Sequence, residues 1–217
     1  MRQTAASLIR SFGGVELPAA GLWNIPSGWA SIELSVPKVF GPALRSRIRL
    51  KQGMIAIADD PTHSTANLSL DAGSVRTGNY AIDEYLREEV LDVGKYSTLP
   101  VRIATVAHCG GSSWIADGWV TVRDAARPVE LAISYEGVFR QGSTALFRAQ
   151  ASVPLRSLLP ADGGMRGRLL AGRTLRIDIE IHAEPVRAST AHARSGQARS
   201  SRVGTGQRRQ DAELAAV

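Results

Sequence analysis

Cysteine is almost absent: Cys109 stands alone in 217 residues, so no intramolecular disulfide can close, and neither a secreted disulfide framework nor a thiolate zinc cluster can form. Long apolar runs are missing as well. No segment approaches the roughly 20 apolar residues of a membrane-spanning helix. The opening MRQTAASLIRSFGGVELPAAG offers only AASLI, with a serine inside it, too short for a signal-peptide core. The expectation is a soluble, cytoplasmic chain.

Catalytic signatures are equally scarce. His63, His108, His182 and His192 show no short metal-ligand spacing. The stretch GGMRGRLLAG lacks the lysine and hydroxyl of a phosphate-cradling loop, and SGWAS lacks the Gly-x-Ser-x-Gly order of a nucleophile elbow. His108 and Cys109 are adjacent, but strand neighbours point to opposite faces, so a buried structural thiol is expected in preference to a Cys–His pair. Asp59 and Asp60 precede Pro61 and read as turn residues. No catalytic residue, metal or cofactor is expected, beyond a non-covalently held ligand.

What the chain does have is alternation. TLRIDIEIHA places Leu175, Ile177, Ile179 and Ile181 on one side and Arg176, Asp178, Glu180 and His182 on the other, the period-two pattern of a half-buried strand. The same pattern recurs through Ile32, Leu34 and Val36; Ile48 and Leu50; Ile55 and Ile57; Leu68 and Leu70; Val101 and Ile103; and Val120 and Val122. It continues through Val129, Leu131, Ile133 and Tyr135, then Phe147, Ala149 and Ala151. Turn-forming residues separate these segments at KQG, ADDPTH, CGGSS, YEGVFRQGS and PADGGMRG. Short connections imply antiparallel neighbours. Such strands either stack as two sheets or close on themselves, and closure, which removes exposed edges, favours an all-β antiparallel barrel of about eight strands.

One stretch breaks the pattern. In SVRTGNYAIDEYLREEVLDVGKY, Ile82, Tyr85, Leu86 and Val90 recur at helical spacing, Asn79 can cap, and Asp83 and Glu84 sit near the positive end. An Asp83–Arg87 ion pair is expected on the outer face, with Gly94 and Lys95 where the helix stops. Helix spacing spreads Asp83, Glu84, Glu88 and Glu89 around the cylinder, so they read as a solvated face.

Both ends read as appendages to a domain spanning 22–186. Before it, over 1–21, RQTAASLIRSF suggests a short helix and GGVELPAAG a linker. After it, residues 187–217 carry six arginines against Asp211 and Glu213. That tail has no aromatic residue to stack on bases and no apolar stripe, which favours a solvated, disordered tail over one that binds nucleic acid or membrane.

SVRTGNYAIDEYLREEVLDVGKYSTLPVRIATV and GWVTVRDAARPVELAISYEG, in that order inside a β-rich chain, resemble two blocks of the YceI-like family. The second matches at Gly118, Thr121, Arg123, Arg127, Pro128 and Val129. Tyr85 stands where the family's His-Leu-Arg motif has histidine, and the proline after its Lys-Tyr pair is displaced to Pro100. Asn24 and PSGWAS replace the family's first-strand elements. The resemblance, covering about Trp23 to Glu184, implies a lipocalin-like barrel, an elongated apolar cavity for an isoprenoid or fatty-acyl lipid, and often a homodimer.

On that reading the cavity lining comprises Leu34, Val36, Leu68 and Leu70 from the first half of the barrel, and Val101, Ile103, Val120 and Val122 from its middle. Leu131, Ile133, Phe147, Ala149, Ile177 and Ile179 complete it. Small inward positions, Ala66, Ala116, Gly118, Ala145, Ala149 and Ala151, leave room. Arg123, Arg127 and Arg156 are the polar candidates for the mouth if the ligand head is anionic. The leading reading is a carrier or storage protein. A small hydrolase or isomerase using His108 and Cys109, or an interaction module using the basic tail, are the alternatives.

Overall fold

The computed structural model describes residues 8–37, 43–139, 143–159 and 172–186. The expected basic tail, 187–217, lies outside the described residues, as does PADGGMRG.

The chain begins with a hairpin, β1 (Ile9–Phe12) against β2 (Val15–Pro18). Gly13 and Gly14 form its turn at φ 57° and 81°, a left-handed pair that glycine adopts without steric cost. The helix expected over RQTAASLIRSF is therefore corrected: its residues Ile9 to Phe12 are strand. The two-glycine turn lets β2 supply the backbone partners that a short isolated helix would lack.

Nine further strands follow: β3 (Gly21–Ile25), β4 (Ala30–Val36), β5 (Leu44–Ile57), β6 (Thr65–Arg76), β7 (Thr98–Gly110), β8 (Ser113–Val122), β9 (Ala125–Phe139), β10 (Thr144–Pro154) and β11 (Thr174–Pro185). A short helix, α1 (Tyr80–Tyr85), lies between β6 and β7. From β5 to β11 each strand pairs antiparallel with the next.

Closure comes from β3 and β4 sharing one position. Gly53–Ile57 of β5 pairs with β3 and Leu44–Arg47 with β4, while β11 pairs with β4 through Arg176–Ile181 and with β3 through Glu184 and Pro185. The result is an eight-position antiparallel barrel, its first position a strand interrupted at Pro26–Trp29. Closure leaves no long unpaired edge.

KQG is not a turn. Lys51 to Gly53 lie inside β5, where the register against β6 shifts between Leu50 and Gln52, a bulge that bends the strand around the barrel. A side chain at Gly53 would meet Ile25 Cδ1 and Leu68 Cδ2, each at 2.8 Å. Close packing, not reversal, explains that glycine.

Outward-facing positions carry cross-strand ion pairs such as Arg47–Glu33 at 2.6 Å and Arg148–Glu180 at 3.2 Å. These are exposed and contribute little. Stability comes from the inside, where Trp23, Ile25, Ile32, Ile48 and Leu50 are buried. The Trp23 indole donates to the Ala19 carbonyl at 3.0 Å, so its one polar atom is satisfied. The hairpin joins the same core: Leu17 is buried, the Phe12 and Trp114 rings lie 6.5 Å apart, and Arg10 donates to the carbonyls of Ala58 and Asp59.

Candidate functional site

Alternation inside a closed sheet sends half of every strand's side chains toward the axis. Here they do not fill it. A cavity of about 360 Å³ runs through the lumen, within the range of small-molecule sites. Its wall includes Leu34, Val36, Leu68, Leu70, Val101, Ile103, Val120 and Val122. Leu131, Ile133, Phe147, Ala149, Ile177 and Ile179 face the same space. Of the small residues, Ala66 and Ala149 open onto it. Ala116 and Ala145 are instead fully packed away, and a side chain at Gly118 would stand 2.3 Å from the Arg102 carbonyl oxygen.

The ends of the lumen are built by residues that alternation does not reveal. Leu17 and Pro18 of the hairpin close one end, while Ile82, Leu86, Val90 and Leu91 of the helical segment and Leu158 and Leu159 after β10 also line the cavity. Trp114, two residues before Ala116 on β8, was accessible by the same period-two rule.

Few polar atoms reach the lumen. Ser46 and Ser64 accept backbone N–H groups of Arg76 and Ala58, each at 3.1 Å. The Tyr135 hydroxyl is buried without a partner. Burial, with a smaller contribution from the Glu16 carboxylate, pushes its pKa up to about 12, so it presents a neutral O–H.

The helical segment is capped as expected, with Asn79 Oδ1 accepting from Ile82 N at 3.2 Å. Asp83 differs from expectation. It is buried, and its Oδ1 accepts from the Thr77 amide and hydroxyl, both at 2.7 Å. Arg87 Nε donates instead to the Asp83 backbone carbonyl at 3.1 Å; the outer-face ion pair does not form, because the carboxylate turns inward to tie down the preceding loop. Burial opposes ionisation of Asp83, but the Thr77 hydrogen bonds, with Arg76 and Arg87 nearby, outweigh it and hold the carboxyl below its ordinary range.

After Tyr85 the helix widens into a π turn over Leu86–Val90, with Leu91 N donating to Leu86 O at 2.8 Å. The helical segment stops before the expected Gly94 and Lys95: its last turn ends at Val90, and Asp92, at φ 48°, takes the left-handed conformation instead of the glycine. The wide turn brings Val90 and Leu91 onto the barrel end, where both are buried.

Beside that end is a second cleft of about 300 Å³, lined by Val90, Val122, Arg123, Asp124, Ala125, Arg127 and Leu158. Arg123 and Asp124 form the two-residue link between β8 and β9, and an Arg123 Nη2 donates to the Glu89 carbonyl. The Nε atoms of Arg123 and Arg127 are buried without an acceptor. Arg156 lines neither space; it sits exposed on the 3-10 turn Leu155–Ser157, which projects it into solvent.

The remaining reactive groups stay apart. His108 Nε2 lies 2.9 Å from the Gly111 carbonyl and its ring 4.4 Å from that of Trp114. Cys109 is exposed, which corrects the expected buried thiol: the end of β7 runs past the core into the Gly110–Gly111 turn. Among the described residues no group of three or more His, Cys, Asp or Glu side chains gathers as a metal site would need. Nor is any helix among them long and apolar enough to cross a membrane. His192 lies outside the described residues. What the lumen can do chemically is remove an apolar molecule from water.

Residues 23–183 match the model of the YceI-like domain. No curated protein matches the sequence. Among solved structures, the chain is similar to BcnA of Burkholderia cenocepacia, with a TM-score of 0.57, 11% identity, and coverage of 70% of this chain and 95% of that one. It is also similar to a polyisoprenoid binding domain from Saccharophagus degradans implicated in plant cell wall breakdown, with a TM-score of 0.55, 12% identity, and coverage of 77% and 100%. The Campylobacter jejuni YCEI protein gives 0.55, 15%, 70% and 90% in the same order. At these identities the likeness is one of fold.

Proposed function

Because the chain belongs to the YceI-like domain family and its barrel encloses an apolar space, we propose that it is a carrier or storage protein holding an isoprenoid or fatty-acyl lipid in the lumen. The observation that carries this reading is the wall itself: side chains from β4 to β11 and from both barrel ends face one cavity of about 360 Å³, and its buried hydroxyls are few. Burial drives such binding, at about 0.8 kcal/mol per methylene before the costs of association. The Saccharophagus degradans neighbour, described as a polyisoprenoid binding domain, supports the isoprenoid option. A fatty-acyl chain meets the same wall.

Two measurements test the reading together. Solvent extraction of the purified protein, followed by mass spectrometry, is expected to release a lipid, and fluorescent fatty-acyl or polyprenyl probes are expected to bind the emptied protein. Absence of both a co-purifying lipid and probe uptake would overturn it.

A further inference from the structure

We propose that the cleft of Arg123 and Arg127 is a head-group site for an anionic amphiphile, whose carboxylate or phosphate the two guanidinium groups hold while its chain lies in the lumen. The inference rests on the lumen reading above and adds the chemistry and direction of the ligand. Three observations support it.

The first is polar accounting. Arg123 and Arg127 flank one short link, and each buries an Nε–H that has no acceptor. An unpaired buried donor is costly, more so on a charged group. An oxyanion in the cleft supplies the missing acceptors, and arginine is suited to such oxygens by its planar fork of donors.

The second is continuity. Val90, Val122 and Leu158 line both the cleft and the lumen, so a head group in one and a chain in the other share a wall. Arg123 is also held in place: a non-glycine residue at φ 55° is strained, and its guanidinium is tied to the Glu89 carbonyl.

The third is electrostatic asymmetry. Among the described residues the one carboxylate lining the cleft, Asp124, is engaged by the Tyr96 hydroxyl, and Lys95 lies 4.8 Å over the Tyr96 ring. Among the described lining residues two guanidinium groups stand against one carboxylate. Eight residues along β9, roughly 26 Å of strand, the lumen instead meets the neutral Tyr135 hydroxyl, with the Glu16 carboxylate near enough to act on it. An anion is favoured at the arginine end and disfavoured at the other.

The test uses decanoate, decyl phosphate and decanol, one chain with three heads, each competing with a bound fluorescent probe on the delipidated full-length protein. Both anions are expected to bind about ten- to hundredfold more tightly than the alcohol, as charge-assisted hydrogen bonds would give. R123Q and R127Q should each lower anion affinity while leaving decanol unchanged. Tighter binding of the carboxylate or of the phosphate then identifies a free fatty acid or a phosphorylated lipid as the natural class. Equal affinity of wild type for all three, or equal weakening of all three by the substitutions, overturns the inference and leaves the lumen reading intact. Failure of all three to displace the bound probe overturns the inference alone; the lumen reading falls only if the probe itself does not bind. The wild-type comparison decides even if a variant fails to fold.

Discussion

Gly118 and Gly53 both sit inside strands where a side chain has no room, yet the obstacles differ. At Gly118 an added Cβ meets the Arg102 carbonyl oxygen at 2.3 Å and Ile103 Cδ1 at 2.7 Å; at Gly53 it meets side-chain atoms, with the methyls Ile25 Cδ1 and Leu68 Cδ2 nearest at 2.8 Å and Ile25 Cβ at 3.2 Å. Backbone in a barrel cannot move without breaking its neighbours' pairing, whereas methyl groups can rotate away. Gly118→Ala is therefore expected to cost about 3 kcal/mol and Gly53→Ala about 1 kcal/mol in denaturant unfolding; the reverse order would show that the β7–β8 contact is not rigid. Asp83 is a different kind of residue, held by charge. Its folded pKa is lowered, so its contribution to stability is fully present above the unfolded value of about 3.9 and is lost as pH falls through the lower folded value. Asp83→Asn keeps an acceptor for Thr77 but removes the charge, and should cost about 1 kcal/mol at neutral pH. It should also flatten the acid limb of the stability curve below about pH 4. An unchanged acid limb in chemical unfolding would contradict the assignment.

The β1–β2 hairpin is the element whose role the sequence hid most completely. Its turn needs φ 81° at Gly14, where no heavy atom lies within 4 Å of an added Cβ. Gly14→Val thus tests conformation without steric contact. A left-handed β-branched residue costs about 1–2 kcal/mol, and hydrogen exchange should speed in Ile9–Phe12 and Val15–Pro18 while β8 to β11 stay protected. Uniform acceleration across the barrel would mean that the hairpin is an integral part of its cooperative unit. The contrast with the barrel strands explains what was legible. Leu175, Ile177, Ile179 and Ile181 announce a strand because one face turns toward the lumen along its length, half-buried at Leu175, Ile177 and Ile179 and buried at Ile181, and the same alternation located the lumen wall. The helical spacing of Ile82, Leu86 and Val90 likewise marked an apolar face, and all three line the lumen; Leu17 and Leu158 reach that wall only because a hairpin and a 3-10 turn dock on the barrel ends. No local period encodes a docking direction. KQG failed for a related reason: its glycine answers to Ile25 and Leu68, residues distant in sequence, while its composition reads as a turn.

At the scale of the whole barrel, stability and binding are linked through the lumen. A ligand that binds only the folded state stabilises it by about 2.7 kcal/mol at a concentration of about 100 Kd. For a domain of this size about 1 kcal/mol corresponds to a Tm shift of about 2–4 °C, so the Tm should rise by about 5–11 °C with a bound lipid. Ala66 offers the control. It lies on β6 between Ile55 of β5 and Ile103 of β7, and it lines the cavity, so Ala66→Phe places a ring in space otherwise available to the ligand. Filling an apolar void adds contacts that the empty protein lacks, and the ligand-free variant is therefore expected to melt no lower than the ligand-free wild type. The two effects have opposite signs: the substitution should preserve or raise the ligand-free Tm while abolishing its rise with added lipid. A thermal melt series on both proteins across a lipid titration checks this. A variant that melts lower when empty yet keeps the full lipid-dependent rise would place the ligand outside the lumen.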